Sequence, residues 1–301
     1  AHNYTPDTWG CAFYPLWPFL LRGVSYVFGK NLLLTGYVLS NLFSLAALLL
    51  FHRYGREKHG LQLADRATIL LALFPGSVFF FLPYTESLFL FLVVFFFWSL
   101  HRCNYAAAAA AAFFLPMTRA VGVLIFPCFL WELFRRKASV KNYGWAGAPL
   151  LGYACYFGIM HLSTGNALSG FEAQQHFPTQ PSLGRLLELH RFAEHFAEFH
   201  FSHEMLYSAL DRILFLCFLV SLYWVFRLDS GYYLYAVLMG LVPALAVSLM
   251  SYTRFCSVIF PLFIVMAQLL SKTRGFWLMA AVFGAAQFYF LLRHISGQWA
   301  G

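Results

Sequence analysis

The amino-acid sequence predicts an all-α, polytopic membrane protein, from its composition and from where its few charges fall. Of 301 residues, 61% are hydrophobic and 11% are charged, whereas a soluble domain carries about a quarter charged residues because its surface faces water. Lipid must therefore solvate most of the surface, where helices satisfy the backbone. The net charge of +8 indicates no nucleic-acid partner, because the basic residues lie in short gaps between apolar runs, as topology-setting loops do.

The first 66 residues predict one interfacial segment and one spanning helix. Residues 13–29 are too short and too interrupted by proline to span, so we expect them to lie along the extracytoplasmic interface. Residues 31–52 are apolar over the length of about 20 residues that a span requires. The basic stretch 53–66 is then predicted to be a cytoplasmic loop.

Residues 67–100 predict two spanning helices rather than one. Their only charge is Glu86, and one continuous helix would be about 51 Å long, well beyond the hydrocarbon core. Arg66 and Arg102 flank the two ends, and the positive-inside rule places both in the cytoplasm. The chain is therefore expected to turn near Pro83, with Glu86 beside that extracytoplasmic turn.

The same pattern recurs along the rest of the chain. Residues 105–131 contain one strong charge, Arg119, and residues 231–271 contain one, Arg254. Each stretch is predicted to be a hairpin with its charge at the extracytoplasmic turn. The whole chain is then one transmembrane domain, 1–301, of about ten spanning helices plus interfacial helices; the remaining spans are 146–163, 205–226 and 276–292.

Residues 164–204 are predicted to form an extracytoplasmic loop with an interfacial amphipathic helix. Leucine and phenylalanine recur there at helical spacing, opposite charged residues. Four histidines in the loop could bind a metal, but their spacing keeps no ligand face on a helix, so a solvated face is the prediction. They are His190, His195, His200 and His203. Neither CxxC nor HExxH spacing, typical of metal sites, occurs in the chain.

Charges at membrane depth are costly and usually functional, and three are predicted to converge on one face: Glu86, Arg119 and Arg254. The planar fork of arginine suits phosphate oxygens. Glu86 could orient a sugar hydroxyl, bind a divalent metal or act as a base. The competing interpretation is that Glu86 pairs with one of the arginines in a buried bridge that holds the hairpins together.

Short motifs at the predicted turns occur in the same order in a known family. FYPLWP (13–18), FFLPYTESLF (80–89), TRAVG (118–122) and YTRF followed by FPLF (252–255 and 260–263) resemble motifs of the PIG-V-like mannosyltransferases. TGNALSGFEAQ (164–174) resembles a loop of bacterial members of that family. Each motif is weak alone, and their order makes the resemblance more specific.

The resemblance implies a GT-C-type transmembrane bundle. Such an enzyme takes a sugar, typically mannose, from a polyprenyl or dolichyl phosphate and transfers it with inversion to a hydroxyl of a glycan, lipid or protein acceptor. The site would face the extracytoplasmic side of a bacterial plasma or inner membrane, or of the endoplasmic reticulum. The resemblance places Glu86 in the pocket, with Arg119 and Arg254 at the phosphate; the other substrate-binding residues that it implies are Phe13, Tyr84, Gln174 and Tyr252.

The family's catalytic base is an Asp in a Trp-Asp motif after a first transmembrane helix, and we expect both to lie upstream of residue 1. Within the chain, Glu86 is the catalytic candidate and Asp7 is the fallback. Two other functions stay open. One is a non-catalytic membrane subunit of an envelope- or polysaccharide-assembly complex. The other is a transporter, which would place charges near the bilayer midplane and show repeat symmetry.

Overall fold

The computed structural model describes residue 4 and residues 9–176, 183–205 and 207–300. These residues are predominantly helical, and they contain no β-strand beyond an isolated bridge between His200 and Ser208. The prediction of an all-α protein is therefore confirmed. The α-helices are, in chain order, α1 (Leu16–Ser25), α2 (Leu32–His59), α3 (Leu61–Leu73), α4 (Glu86–His101), α5 (Tyr105–Thr118), α6 (Ile125–Arg135), α7 (Ala148–Thr164), α8 (Ser169–Gln175), α9 (Leu189–Ala197), α10 (Ala209–Leu228), α11 (Ser230–Ala246), α12 (Tyr252–Val258), α13 (Pro261–Leu269) and α14 (Thr273–Ile295).

The chain divides into two compact units. The first comprises Ala1–Ala47 and Phe80–Pro181, and the second comprises Leu48–Phe79 and Ser182–Gly301. Helix α2 contributes its first half to one unit and its second half to the other. A single transmembrane domain over 1–301 stays a prediction.

Small residues let the helices of the first unit approach closely. Asn104 begins α5, because its side-chain oxygen accepts from the backbone N–H of Ala107 over 3.0 Å. The alanine run that follows packs against α4 and α7, and Ala108 and Ala112 are fully buried. On α7, Gly152 lies so close to α5 that a Cβ there would overlap the carbonyl group of Phe113. Close packing of this kind holds helices together in lipid. Lipid tails are as apolar as the helix surfaces, so the hydrophobic effect does not drive the helices together there.

Three helix connections of the second unit meet at one end. Lys58 at the end of α2 forms a 2.9 Å ion pair with Asp229, which joins α10 to α11. Asp229 also caps α11, accepting from the backbone N–H groups of Gly231 and Tyr232. Before α14, the carbonyl of Ser271 accepts a 2.6 Å hydrogen bond from the Arg66 guanidinium.

The basic stretch 53–66 is not a loop, which corrects the prediction. Helix α2 continues to His59 and α3 begins at Leu61, with a break only at Gly60, whose φ is 93°. The helix continues because Tyr54 is buried, and its hydroxyl accepts from the hydroxyl of Tyr232 over 2.6 Å. The positive charges predicted a cytoplasmic segment, but they did not reveal its packing face.

Among the described residues, three helices are long and apolar enough to cross a membrane: α2, α10 and residues 274–295 of α14. The pair α12 and α13 also qualifies when taken together, although its axes bend by 84°. Shorter apolar helices, among them α4, α5 and α11, lie between these candidates. Several helices are thus suited to a bilayer, whereas helix length alone does not reach the predicted count of about ten spans.

Helices begin or end beside two of the three lone charges, Glu86 and Arg119. A bend over 81–85 separates the 3-10 helix Pro75–Phe80 from α4, and Arg119 lies between α5 and the 3-10 helix that follows it.

The amphipathic helix predicted in the 164–204 loop is shorter than its sequence pattern indicated, because only α9 is α-helical within that pattern. The rings of Phe192 and Phe196 lie 5.5 and 6.2 Å from that of Phe215 on α10. Those two rings of its apolar face therefore pack on protein.

The close approach of α7 to α5 can be tested with two glycines of α7. Gly152→Ala should lower stability by about 1–3 kcal/mol, the usual cost of overpacking a tight contact. Gly158→Ala is the matched control, because a Cβ at Gly158 meets nothing within 4 Å. Thermal unfolding of the purified protein in detergent measures both, and equal midpoints for the two variants would contradict the packing described.

Candidate functional site

Glu86 and Arg119 meet in the first unit, where α4 begins and α5 ends. Glu86 is the first residue of α4, and Arg119 directly follows α5. The Nη1 group of Arg119 donates to Oε1 of Glu86 over 2.8 Å, and the two side chains are 17% and 0% exposed. The guanidinium carbon lies 6.0 Å from the ring centroid of Phe89. Two of the three predicted membrane charges are therefore in contact.

Local sequence explains why the chain bends at both residues. Pro83 lies in the turn before α4, and Pro116 lies in the last turn of α5, where it has no N–H to donate. Arg119 then adopts an extended backbone. The next turn packs tightly on α5, since a Cβ at Gly122 would overlap the carbonyl group of Leu115.

The geometry matches the interpretation in which Glu86 belongs to a buried bridge. Removing two ions from water is costly, and their attraction offsets that cost only when the geometry is good. Removal of one partner would leave an uncompensated charge inside an apolar unit. The bridge ties the start of α4 to the end of α5, and a role of either residue in binding substrate stays a prediction.

The predicted binding residues near the N-terminus surround an aromatic cluster of the first unit. Tyr14 stacks on Tyr156 of α7 with ring centroids 4.6 Å apart. Burial, reinforced by the nearby Tyr153 and Tyr156 hydroxyls, raises the pKa of Tyr14 well above its usual range. Gln174 donates to the carbonyl of Ala12 over 3.4 Å. Gln174 therefore anchors this segment.

Two further predicted residues lie at the surface or close to it. The side chain of Phe13 is 61% exposed, beside the buried Tyr14. Tyr84 is partly exposed in the turn before Glu86. That turn is attached to α2, because the side chain of Asn41 donates to the carbonyl of Phe81 over 3.1 Å. Contact with a sugar requires exposed aromatic surface, and Phe13 has the larger exposed fraction of the two residues.

In the second unit, Arg254 lies in the first turn of α12 rather than in the turn before it, where the sequence predicted it. Its guanidinium carbon is 4.4 Å from the ring centroid of Phe79. The preceding residue, Thr253, is fixed on two sides. A Cβ at Gly76 would overlap its carbonyl oxygen, and the buried carboxylate of Asp211 accepts from its N–H (2.8 Å) and its hydroxyl (2.7 Å).

Tyr252 is fully buried, and its ring packs against Phe215 and Phe218 of α10. The structure therefore makes this predicted substrate-binding residue part of the support for α12. Asp211 was missed by sequence reasoning, although a signal was available: it is the only acidic residue of the mostly apolar α10 and lies in the first turn of that helix. In the structure it is 1% exposed. Its partner lies 42 residues away.

His203 differs from the solvated face predicted for the His-rich stretch. It is 6% exposed, its ring stacks on Phe290 with centroids 4.6 Å apart, and its Nδ1 lies 2.8 Å from the Ser208 hydroxyl. The carbonyl of His203 accepts from the Arg293 guanidinium over 2.6 Å. Burial, together with the positive charge of Arg293, lowers the pKa of His203 from 6.5 to about 4.

Asp7 lies outside the described residues. In the part of the chain that the structure describes, no three His, Cys, Asp or Glu side chains gather as metal ligands would. Comparisons with models of known families, with curated protein sequences and with solved structures found no match to this chain. The family resemblance therefore rests on the quoted motifs alone.

The Asp211–Thr253 contact gives a stability prediction. Thr253→Val is nearly isosteric but leaves the buried Asp211 without a hydroxyl donor, and it should cost about 1–3 kcal/mol. Thr68→Val is the matched control in the same unit, because the Thr68 hydroxyl is buried without a hydrogen-bond partner among the described residues. Thermal unfolding in detergent should show a lower midpoint only for Thr253→Val. A Thr253→Val midpoint equal to that of the wild type would contradict it.

The pKa of His203 gives a pH prediction. Because its folded pKa lies below its ordinary value, the unfolded chain binds the proton more readily. The stabilisation is complete above pH 6.5 and is lost as the pH falls towards about 4. Unfolding midpoints at pH 7.5 and pH 5 should therefore differ less in His203→Gln than in the wild type.

The control for this pH prediction is His190→Gln, which changes an exposed histidine and should retain the wild-type difference. Identical pH dependence in all three proteins would contradict the prediction.

Proposed function

We propose that this chain is a GT-C-type glycosyltransferase of about ten spans, transferring a sugar, mannose by resemblance, from a polyprenyl-phosphate donor on the extracytoplasmic face. The observation that carries the proposal is the Glu86–Arg119 pair. A carboxylate and a guanidinium lie together in an apolar unit, within two of the motifs that resemble the PIG-V-like mannosyltransferases. Exposed Phe13 and partly exposed Tyr84, from the same motif set, lie in the same unit.

The proposed chemistry needs both kinds of charge. The acceptor oxygen forms a bond to the anomeric carbon and loses its proton to a carboxylate, while the bond from that carbon to the phosphate oxygen breaks on the opposite side. Negative charge grows on the departing lipid phosphate, and a fixed guanidinium stabilises it. Arg119 is the proposed phosphate contact in the first unit, and the phosphate role that the resemblance implies for Arg254 stays a separate prediction. Glu86 is proposed to orient Arg119 and the acceptor.

A second function is favoured by one observation. Glu86 has no exposed surface and is bonded to Arg119, as expected if the pair only joins two hairpins. In that case the chain would be a non-catalytic membrane subunit of an assembly complex.

A double substitution separates the two functions. Replacing a buried ion pair with apolar residues of similar size is often neutral or stabilising, whereas removing one partner costs about 3–5 kcal/mol. Glu86→Met with Arg119→Met should therefore stay folded, and each single variant should unfold earlier. If the proposed function is correct, the folded double variant loses transfer from polyprenyl-phosphate mannose, measured as polyprenyl phosphate released in membranes containing the full-length protein.

The matched control is Glu132→Gln. Glu132 is another buried glutamate, bonded to Arg135 over 2.7 Å at the far end of α6, and its variant should retain transfer. Full transfer by the double variant would contradict the site assignment. Absence of transfer by the wild-type protein would favour the non-catalytic subunit.

A further inference from the structure

One end of the second unit collects positive charge from separate stretches of chain. The turns at Gly60, Asp229 and Ser271 are held there by the Lys58–Asp229 ion pair and the Arg66–Ser271 hydrogen bond. Three acidic side chains at this end each lie close to a basic side chain: His52–Asp65 at 2.7 Å, Arg53–Glu57 at 3.2 Å and Lys58–Asp229 at 2.9 Å. The acidic groups of these turns therefore already have partners within the fold.

Four more basic residues at this end are exposed: Arg56, Arg227, Lys272 and Arg274. We call them the basic rim. No acidic side chain in the described part of the chain forms an ion pair with any of the four. The rim thus presents positive charge that the fold does not neutralise.

Two exposed tryptophans lie one helical turn from residues of the basic rim. Trp224 lies one turn before Arg227 on α10, and Trp277 lies one turn after Arg274 on α14. The two rings are 37% and 58% exposed, and both helices are candidate spans. Tryptophan is enriched where hydrocarbon meets headgroups. With both rings at that boundary, the arginine of each helix would lie one turn further out, at the depth of lipid phosphates.

We propose that the basic rim binds the headgroups of anionic phospholipids. Its guanidinium groups match phosphate oxygens in a planar, two-pronged geometry. The exposed apolar faces that continue from Trp224 and Trp277 lie where the acyl chains of such a lipid would run. This inference does not depend on the proposed enzymatic function, because the rim shares no residue with the candidate site.

The test measures lipid retention by the purified full-length protein in detergent. Native mass spectrometry would compare bound phosphatidylglycerol with bound phosphatidylcholine after equal exposure to both. The wild type should retain phosphatidylglycerol preferentially, and 0.5 M salt during exposure should weaken the preference. Arg227→Gln, Lys272→Gln and Arg274→Gln should each reduce it by about fivefold, the effect of one basic residue near an anionic surface.

Two controls separate the rim from general charge and from misfolding. Arg191→Gln changes an exposed arginine of the same unit that pairs with Glu188 at 3.1 Å, and it should leave the preference intact. The charge-conserving variant Arg227→Lys with Arg274→Lys should keep most of it. Equal retention of both lipids by the wild type would overturn the proposal. So would an undiminished preference in a triple variant that combines Arg227→Gln, Lys272→Gln and Arg274→Gln.

Discussion

The structure depends on one constraint: a charge placed inside an apolar helical chain needs a partner in the fold or a position at a helix end. The Glu86–Arg119 pair shows this most clearly, because a carboxylate with no exposed surface is bonded to the guanidinium of Arg119 at the end of α5. Asp211 follows the same rule in the second unit by accepting two hydrogen bonds from Thr253. In both cases a polar contact fixes where the chain bends.

Helix ends were predictable from sequence because charge and proline act locally. The lone charges Glu86 and Arg119 do lie at breaks, and the long apolar runs do form helices. Helix extent was less predictable. The chain over 53–59 carries enough charge to suggest a loop, yet it is helical. The hydroxyl of Tyr54 accepts a hydrogen bond from Tyr232, which lies 178 residues further along the chain. Spacing within a segment carries no information about a partner so distant.

The candidate site was also only partly predictable from the sequence. The sequence identified Glu86 and Arg119, and it offered a mutual bridge as one of two interpretations, which is the contact that the structure contains. It did not identify Asp211 or the burial of His203, because each depends on side chains brought together by folding. The resemblance also implied that Tyr252 binds substrate, a role that stays a prediction. The motif did not reveal that its ring packs against Phe215 and Phe218. A sequence motif identifies a residue type at a position, whereas the burial of that residue depends on side chains that folding brings next to it.

In the topology proposed for this chain, helix α4 carries the turn before Glu86 and the connection at Cys103 to opposite faces of the membrane. Single-cysteine variants in sealed, oriented vesicles test it most directly. One would carry Phe81→Cys beside the exposed turn before Glu86, and the other would retain only the native, exposed Cys103. A membrane-impermeant maleimide added outside should label one variant and spare the other until the vesicles are opened. Labelling of both from the same side would contradict the account.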